Sequence, residues 1–188
     1  VRGSFKPEIR YPKELMEAMK RIAPEVSKNM KGMTDFGTCV SHVATEECGD
    51  MPIQNWRGGS FREGAEKTSG QAMVETGILK KNYYCNSCFV GCGRVVKIES
   101  GKYAPVDGAG PEYESMSALG SYCMVDDLEA ICKAVELCNR YGLDTISTGA
   151  VIAFSMELFE KGLLKKEDIG EKNTFSFEYQ MNDNESKI

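Results

Sequence analysis

This sequence contains very little histidine, and it lacks long hydrophobic runs and an excess of positive charge. His42 is the single histidine among 188 residues, which excludes any site that needs two imidazoles from this chain, such as His-rich zinc or non-haem iron centres. The longest aliphatic and aromatic run extends from Ala150 to Phe154, far short of a membrane span. The formal charge of −5 gives no electrostatic footprint for nucleic acid.

The remaining composition is that of a globular protein. Hydrophobic residues make up 41% and charged residues 27% of the chain, and 188 residues suffice for one domain or two small ones. Residues 1–10 are charged and have no apolar core, so they do not resemble a signal peptide. Eight cysteines are too few for a disulfide scaffold, and we expect reduced thiols in a cytoplasmic protein.

Hydrophobic periodicity predicts a mainly α fold: a multihelical domain with one short β-hairpin after the cysteine cluster. Residues 94–99 and 102–106 are the expected strands, joined at Ser100-Gly101. Pro24 should kink or divide the first helix, which begins near Pro12. We expect a helical domain over residues 1–172 and a polar tail, in a loop or disordered, over 173–188.

The two long C-terminal helices have clear start and stop signals. Asp126 is the expected N-cap of the first, with Glu129 completing a capping box, and Gly142 ends it. Asp144 should cap the second helix. The predicted buried face of the first helix consists of Leu128, Ile131, Cys132, Val135 and Cys138, and that of the second of Ile146, Ala150, Ala153 and Met156.

Three cysteines are clustered in the pattern C-x2-C-x3-C, at Cys85, Cys88 and Cys92. Thiolates select iron–sulfur clusters, zinc or Cu(I), and neighbouring glycines allow the backbone to bend and donate N–H groups to sulfur. Three interpretations are open: a [4Fe–4S] cluster with a fourth ligand elsewhere, a zinc site, or three unligated thiols. Cys123 is a candidate fourth ligand, although a buried small hydrophobe is the more ordinary role.

Two further segments carry polar residues that fit either structural or chemical roles. Glu112 and Glu114 lie in the first turn of a predicted helix, where they complement the helix dipole or act in acid–base chemistry. Asp144 needs no role beyond capping, yet its carboxylate, with Asn139 nearby, could accept the paired N–H donors of a pterin edge. His42, without a paired carboxylate motif, is interpreted as an ordinary polar residue of a helix or loop.

In combination and in order, these motifs resemble the tungsten-containing aldehyde:ferredoxin oxidoreductase family. The segments that carry the resemblance are Gly37-Thr38, residues 51–56 (Met-Pro-Ile-Gln-Asn-Trp), the cysteine cluster, residues 110–114 (Gly-Pro-Glu-Tyr-Glu) and residues 139–149. The resemblance extends to about Gly162, after which the family pattern is lost. Members combine a β-rich domain that seats a tungsten (or molybdenum) bis-molybdopterin with two helical domains, and this chain resembles the middle helical domain.

The resemblance implies roles for particular residues. Cys85, Cys88 and Cys92 would be three of four [4Fe–4S] ligands. Asn139, Leu143 and Asp144 fall on the pterin-contacting motif, although the family has Asp where this chain has Asn139. Glu114 falls on an acidic residue near the metal and is a candidate proton-transfer group.

The implied reaction is oxidation of an aldehyde to a carboxylate with ferredoxin as electron acceptor. The β-rich pterin domain and the C-terminal helical domain would be further partners, and a homodimer is possible by analogy. The isolated chain is expected to be inactive. A structural zinc-binding or interaction domain without a redox role is the alternative, and a relative acting on another substrate, such as an aromatic thioester, is a third hypothesis.

Overall fold

The computed structural model describes residues 3–4 and 8–169, and it confirms a mainly α fold. The predicted tail over residues 173–188 lies outside this range. None of the helices in the described ranges is long and apolar enough to cross a membrane. The α-helices are α1 (Pro12–Asn29), α2 (Lys31–Phe36), α3 (His42–Glu47), α4 (Arg62–Lys67), α5 (Gly70–Glu75), α6 (Tyr113–Leu119), α7 (Leu128–Tyr141), α8 (Thr145–Glu160) and α9 (Lys166–Ile169), with short 3-10 turns at Thr38–Ser41 and Ser121–Cys123.

The β structure is one strand larger than the predicted hairpin. Strands β1 (Leu79–Tyr83), β2 (Gly93–Ile98) and β3 (Val106–Ala109) form an antiparallel sheet in the order β1-β2-β3. The second strand was expected over 102–106, but pairing begins only at Val106, opposite Ile98. Pro105 has no N–H to donate to the ladder, which explains the later start. The cysteine cluster therefore lies in the connection between β1 and β2.

The prediction that Pro24 divides the first helix is wrong, because α1 is continuous from Pro12 to Asn29 with Pro24 inside it; the alternative, a kink at Pro24, stays a prediction. Proline deprives the carbonyl four residues earlier, that of Lys20, of its helical donor. None of the residues of α1 is buried, so water can satisfy that carbonyl. Pro12 lies at the first helical position, as predicted.

The main core lies between the sheet and the helices α6 and α7. All five residues predicted for the inner face of α7 are buried, which confirms the periodicity. A smaller cluster contains Met51, Ile53, Phe61 and Ala65. The main cluster consists of Cys39, Met73, Ile78, Val96, Ile98, Val106, Met116, Leu119, Leu128, Ile131, Cys132 and Val135.

The ends of α7 and α8 follow the predicted signals with one shift. The N-cap of α7 is Asp127, not Asp126, and its side chain accepts a hydrogen bond from the Ala130 N–H. Gly142 ends α7 with a left-handed φ of 69°, a conformation that glycine adopts without a steric penalty. Asp144 caps α8 by accepting from the Ser147 N–H, as expected.

The buried stripe predicted for α8 is wrong, since Gly149 is its only fully buried residue. Ile146 is 44% exposed, and Ala150 is exposed as well. Apolar residues occur on every side of this helix, so their spacing does not select one face. The helix instead packs on α6 through Gly149, where an added Cβ would lie 2.4 Å from the carbonyl oxygen of Ala118.

Candidate functional site

The connection between β1 and β2 brings Cys85, Cys88 and Cys92 into one loop at the surface. Cys85 is exposed, and the other two thiols are partly buried. The Cys88 N–H donates to the Cys85 carbonyl at 3.1 Å, which closes a tight turn through Ser87 at φ 59°. Gly91 has a φ of 64°, so the loop turns twice within the C-x2-C-x3-C sequence.

Both glycines of this loop have aromatic rings against them. A Cβ on Gly91 would lie 2.3 Å from the ring of Tyr84, and a Cβ on Gly93 would lie 2.4 Å from the ring of Tyr83. Either substitution would force the tyrosine or the backbone to move. Glycine at both positions therefore allows Tyr83, the last residue of β1, and the following Tyr84 to pack against the backbone.

Backbone N–H groups stabilise one thiolate in particular. The Val90 N–H donates to Cys88 Sγ at 3.3 Å, and hydrogen bonds from Gly91 and Val90 lower the pKa of Cys88. The pKa of Cys92 is raised, first by burial and then by the carboxylate of Glu112. The other two thiols of the loop also raise it, so the three sulfurs influence one another.

The donor set of this loop fits a thiophilic metal centre. It offers three thiols and backbone N–H donors to sulfur, which is the surrounding that iron–sulfur clusters use. Within residues 3–4 and 8–169, no group of three or more His, Cys, Asp or Glu side chains is arranged closely enough to hold a metal ion. A metal centre at this loop would require the three thiols to converge and a fourth ligand to be supplied.

Glu112 connects the 3-10 turn that begins at Thr38 to the start of α6. Its Oε2 accepts a hydrogen bond from Thr38 Oγ1 at 2.6 Å, and the same hydroxyl oxygen accepts from the Tyr113 N–H at 2.9 Å. Thr38 thereby caps α6 in place of a residue of the helix itself. Glu114, the predicted catalytic residue, is exposed in the first turn of α6 and is free of the contact that engages Glu112.

The residues predicted to contact a pterin lie at the turn between α7 and α8. Leu143 is 55% exposed, and its N–H donates to the Cys138 carbonyl at 2.8 Å. Asn139 and Asp144 are exposed as well. Hydrogen bonds from the backbone and side chain of Ser147 lower the pKa of Asp144, so its carboxylate is ionised and available to N–H donors.

The helices α6 and α8 bring the two carboxylate-bearing segments together. The hydroxyl of Ser115 lies 2.7 Å from that of Thr145, directly after Glu114 and Asp144 respectively. The hydrogen bond therefore brings the segments of Glu114 and Asp144 side by side. The link between this pair and the cysteine loop is electrostatic, since the Glu112 carboxylate raises the pKa of Cys92 after burial does.

Sequence reasoning did not identify Arg94, which is 1% exposed beside the cysteine loop. Its signal was available in the strand: Arg94, Val96 and Ile98 alternate along β2, and all three are buried. A charged residue at an inward-facing position of an apolar strand is rare, and its buried polar atoms are normally hydrogen-bonded.

Cys39, Cys132 and Cys138 are buried, as predicted for the last two, whereas Cys48 is exposed. Cys123 is also buried, with its Sγ 3.6 Å from the Ala118 carbonyl and 3.8 Å from that of Gly149, and burial raises its pKa to about 11. It packs between α6 and α8 as a small hydrophobe. These contacts give no support to Cys123 as the fourth ligand.

An apolar groove of about 400 Å³ lies apart from the predicted site residues. It runs between α8 and the segment that contains Gln54, Asn55 and Arg57. Its apolar lining includes Tyr122, Ala153, Phe154 and Met156. None of the predicted site residues lines this groove, although Gln54 and Asn55 belong to the 51–56 segment that carries part of the family resemblance.

Comparisons with known proteins extend the family resemblance over the chain. Residues 14–184 match the family model of aldehyde ferredoxin oxidoreductase, domains 2 & 3. The match continues beyond Gly162, so the prediction that the family pattern ends there is wrong.

Individual relatives agree with the family match. The chain is 37% identical over 184 residues to the tungsten-containing aldehyde ferredoxin oxidoreductase of Pyrococcus horikoshii, covering 95% of this chain and 29% of that protein. It is 40% identical over 146 residues to the enzyme of that name from Thermococcus kodakarensis, covering 77% and 23%. An aliphatic sulfonate oxidoreductase, WOR-like subunit, of Pyrococcus furiosus is 30% identical over 172 residues, covering 87% and 26%. The chain thus spans less than a third of the length of these relatives, and it belongs to the aldehyde ferredoxin oxidoreductase family.

Proposed function

We propose that this chain contributes three of four [4Fe–4S] ligands, Cys85, Cys88 and Cys92, to a tungsten–pterin oxidoreductase that oxidises aldehydes to carboxylates. The observation that carries the proposal is the loop between β1 and β2, in which backbone N–H groups favour the thiolate of Cys88. Family membership supplies the context. A bound cluster would relay single electrons from the pterin-held metal, tungsten or molybdenum, to ferredoxin.

The carboxylates of the chain have separate tasks in this proposal. Glu114 is exposed in the first turn of α6 and is the group that holds or moves a proton at its carboxylate. Asp144 is kept ionised by Ser147 and accepts N–H donors from a pterin edge, with Leu143 and Asn139 forming the adjoining surface. Glu112 is engaged by Thr38 and is less available for proton transfer.

Other parts of the enzyme complete the site. The chain covers 29% of the length of the Pyrococcus horikoshii relative, and three thiolates leave one cluster position without a protein ligand. We infer that a β-rich pterin domain and a C-terminal helical domain provide the remaining contacts, including the fourth ligand. A homodimer and a cytoplasmic location belong to the same proposal.

The relatives also raise a second candidate for the substrate. The Pyrococcus furiosus relative named for aliphatic sulfonates is 30% identical over 87% of this chain, so the scaffold does not imply aldehydes alone. Metal content separates both redox proposals from the alternative of a structural zinc domain, because zinc would occupy the same thiols without redox chemistry.

The test is anaerobic reconstitution of the 188-residue chain with iron, sulfide and an excess of a small thiol that fills the fourth position. We expect about four iron and four sulfide per chain, with visible absorbance that is lost on exposure to oxygen. Cys88→Ser should abolish the absorbance, whereas Cys48→Ser should retain it, because Cys48 is an exposed thiol outside the loop.

Two outcomes would contradict the proposal. Equal iron uptake by wild type and Cys88→Ser would show that the loop is not the ligand set. One tightly bound, oxygen-insensitive zinc per chain, with no iron–sulfur absorbance after reconstitution, would favour the structural zinc domain.

A further inference from the structure

Arg94 lies at the base of the cysteine loop, two residues after Cys92, and its side chain is 1% exposed. A buried guanidinium is expensive unless its donors are satisfied. The side chain points to the inner face of the sheet in register with Val96 and Ile98. Its position fixes a permanent positive charge under the loop.

The guanidinium binds three separate parts of the chain at once. It donates to two carbonyls of the cysteine loop, to three at the C-terminal end of α2 and to one side chain of β1. The acceptors are the carbonyls of Cys92 at 2.9 Å, Gly91 at 3.4 Å, Met33 at 2.9 Å, Thr34 at 2.8 Å and Asp35 at 3.2 Å, and Asn82 Oδ1 at 2.9 Å. One side chain therefore ties the loop to α2 and β1.

Neighbouring residues reinforce this arrangement. Thr34 Oγ1 donates to the Val90 carbonyl of the loop at 2.7 Å, and Asn82 Nδ2 donates to the Thr34 carbonyl at 2.7 Å. A Cβ on Gly37 would lie 2.6 Å from Arg94 Nε, so glycine is needed there to admit the guanidinium. The cavity for Arg94 is thus built by residues from four segments.

The charge of Arg94 is not matched by a direct ion pair. Every acceptor of its hydrogen bonds is an uncharged oxygen, and no carboxylate of the described ranges forms a salt bridge with it. Carbonyl dipoles compensate a buried charge only in part. Burial lowers the pKa of Arg94, whereas the charges of Glu112 and then Cys92 raise it, so thiolates in the loop would add to a compensation that Glu112 already supplies in part.

We propose that Arg94 is a positioning residue that holds the loop from Cys85 to Gly93 ready to bind its cluster, and that its charge offsets the negative charge of the thiolates. This inference rests on the proposed function. Fixing the loop in advance removes ordering cost from cluster binding. A fixed positive charge nearby also favours the reduced, more negative state of a bound cluster, and so raises its midpoint potential.

Two substitutions separate geometry from charge. Arg94→Lys keeps the charge but cannot form the forked set of hydrogen bonds, and Arg94→Met removes both. A milder variant, Asn82→Ala, deletes the β1 contact, and Lys81→Ala is its matched control on the exposed side of the same strand. Circular dichroism and thermal unfolding establish that each chain is folded.

The first readout needs no metal. In the metal-free chain, alkylation of Cys92 is followed by mass spectrometry, with the exposed Cys48 as internal reference. Loss of charge-assisted hydrogen bonds should raise the Cys92 rate at least roughly tenfold in Arg94→Lys. Asn82→Ala should give a smaller increase, and Lys81→Ala none.

The second readout follows reconstitution with iron and sulfide. Both Arg94 variants should take up less iron than wild type, and the cluster of Arg94→Met should have a lower midpoint potential than that of Arg94→Lys. Alkylation rates within twofold of wild type in folded Arg94→Lys and Asn82→Ala would overturn the inference, as would equal potentials in the two Arg94 variants. Failure of wild type to form a cluster would instead overturn the proposed function, while alkylation would still decide whether Arg94 holds the loop.

Discussion

Arg94 and His42 are both completely buried, but only Arg94 has hydrogen-bond partners. Neither ring nitrogen of His42 has a partner among the described residues, and its ring lies 5.6 Å from that of Tyr113 in an edge-on arrangement. A histidine in such surroundings is held neutral, because burial disfavours the charged form. The interpretation of His42 as an ordinary polar residue therefore misses its burial.

The first prediction concerns the pH dependence of stability. Burial lowers the pKa of His42 to about 4 from its ordinary 6.5. The unfolded chain therefore binds a proton that the folded chain excludes, and stability from this residue is present above pH 6.5 and lost as pH falls toward 4. We expect His42 alone to reduce the unfolding free energy by about 3 kcal/mol over that interval.

Urea unfolding of wild type and His42→Leu between pH 7 and pH 4 measures this difference. Carboxylates contribute equally to both proteins, so subtracting the two curves isolates the histidine. The variant should lose less stability on acidification. Parallel curves would show that folding leaves the pKa of His42 unchanged.

The burial or role of a single residue can be predicted from the sequence only where the residue belongs to a recognisable local pattern. The alternation of residues along β2 is enough to assign Arg94 to the inner face, and C-x2-C-x3-C identifies its three thiols directly. His42 has no such pattern, because its burial depends on packing against Tyr113, far away in sequence. The contact of Glu112 with Thr38 is equally non-local.

At the scale of elements, capping signals located helix ends to within one residue. The predicted N-cap Asp126 forms an ion pair with Lys67, and the neighbouring Asp127 caps α7. Two consecutive aspartates present the same signal, and in the structure the first pairs with Lys67 while the second caps α7.

Strand β1 was not predicted because residues 79–83 are polar at most positions. Their pairing with β2 is specified by the partner strand.

The second prediction compares the two aspartates. Asp127→Ala should lower the unfolding free energy by about 1 kcal/mol, because the Ala130 N–H loses its acceptor. Asp126→Ala should have a smaller effect, since its ion pair with Lys67 is exposed. Chemical denaturation of both variants gives the comparison, and a larger loss for Asp126→Ala would reverse the assignment of the cap.

The third prediction concerns the contact between α6 and α8. Gly149→Ala places a methyl group against the backbone of Ala118, 2.4 Å from its carbonyl oxygen, and a backbone cannot yield as a side chain can. Overpacking costs about 1–3 kcal/mol, and so close a contact with backbone places the cost at about 2–3 kcal/mol, above the gain of about 1 kcal/mol in helix propensity. We expect a net loss of about 1–2 kcal/mol.

Thermal unfolding measures this loss, with Gly59→Ala as the control because a Cβ there meets nothing within 4 Å. Ser115 and Thr145 join the same two helices, so a displaced α8 should also separate Glu114 from Asp144. Equal stability of Gly149→Ala and wild type would mean that α6 and α8 can move apart without cost.

At the scale of the whole molecule, the sequence predicts the class of fold and the order of its functional motifs better than it predicts which surfaces are covered. The inner face of α7 was predictable because its apolar residues occupy one side of the helix. The surroundings of α8 were not, because apolar residues circle the helix and only a packed structure shows which of them find partners. This chain spans 29% of the length of the Pyrococcus horikoshii relative. The hydrophobic periodicity of the chain does not show which of its apolar residues would contact other parts of an enzyme of that length.

The last prediction follows from the exposed apolar surface of α8. Val151 is 63% exposed and Phe154 60% exposed, and Phe154 also lines the groove that faces Gln54 and Asn55. Contiguous apolar surface of this kind drives association in water. We therefore expect the 188-residue chain to self-associate in a concentration-dependent manner through α8.

Sedimentation velocity over a range of concentrations tests this with a double variant, Val151→Glu together with Phe154→Glu. Both side chains are exposed, so the charges should leave the melting temperature almost unchanged while converting the chain to a monomer. The control is Val74→Glu, since Val74 is a 42% exposed residue on a different helix, α5. If the control dissociates the chain as well as the double variant does, net charge and not the α8 surface governs association, because each added carboxylate increases the repulsion between chains that already carry a charge of −5.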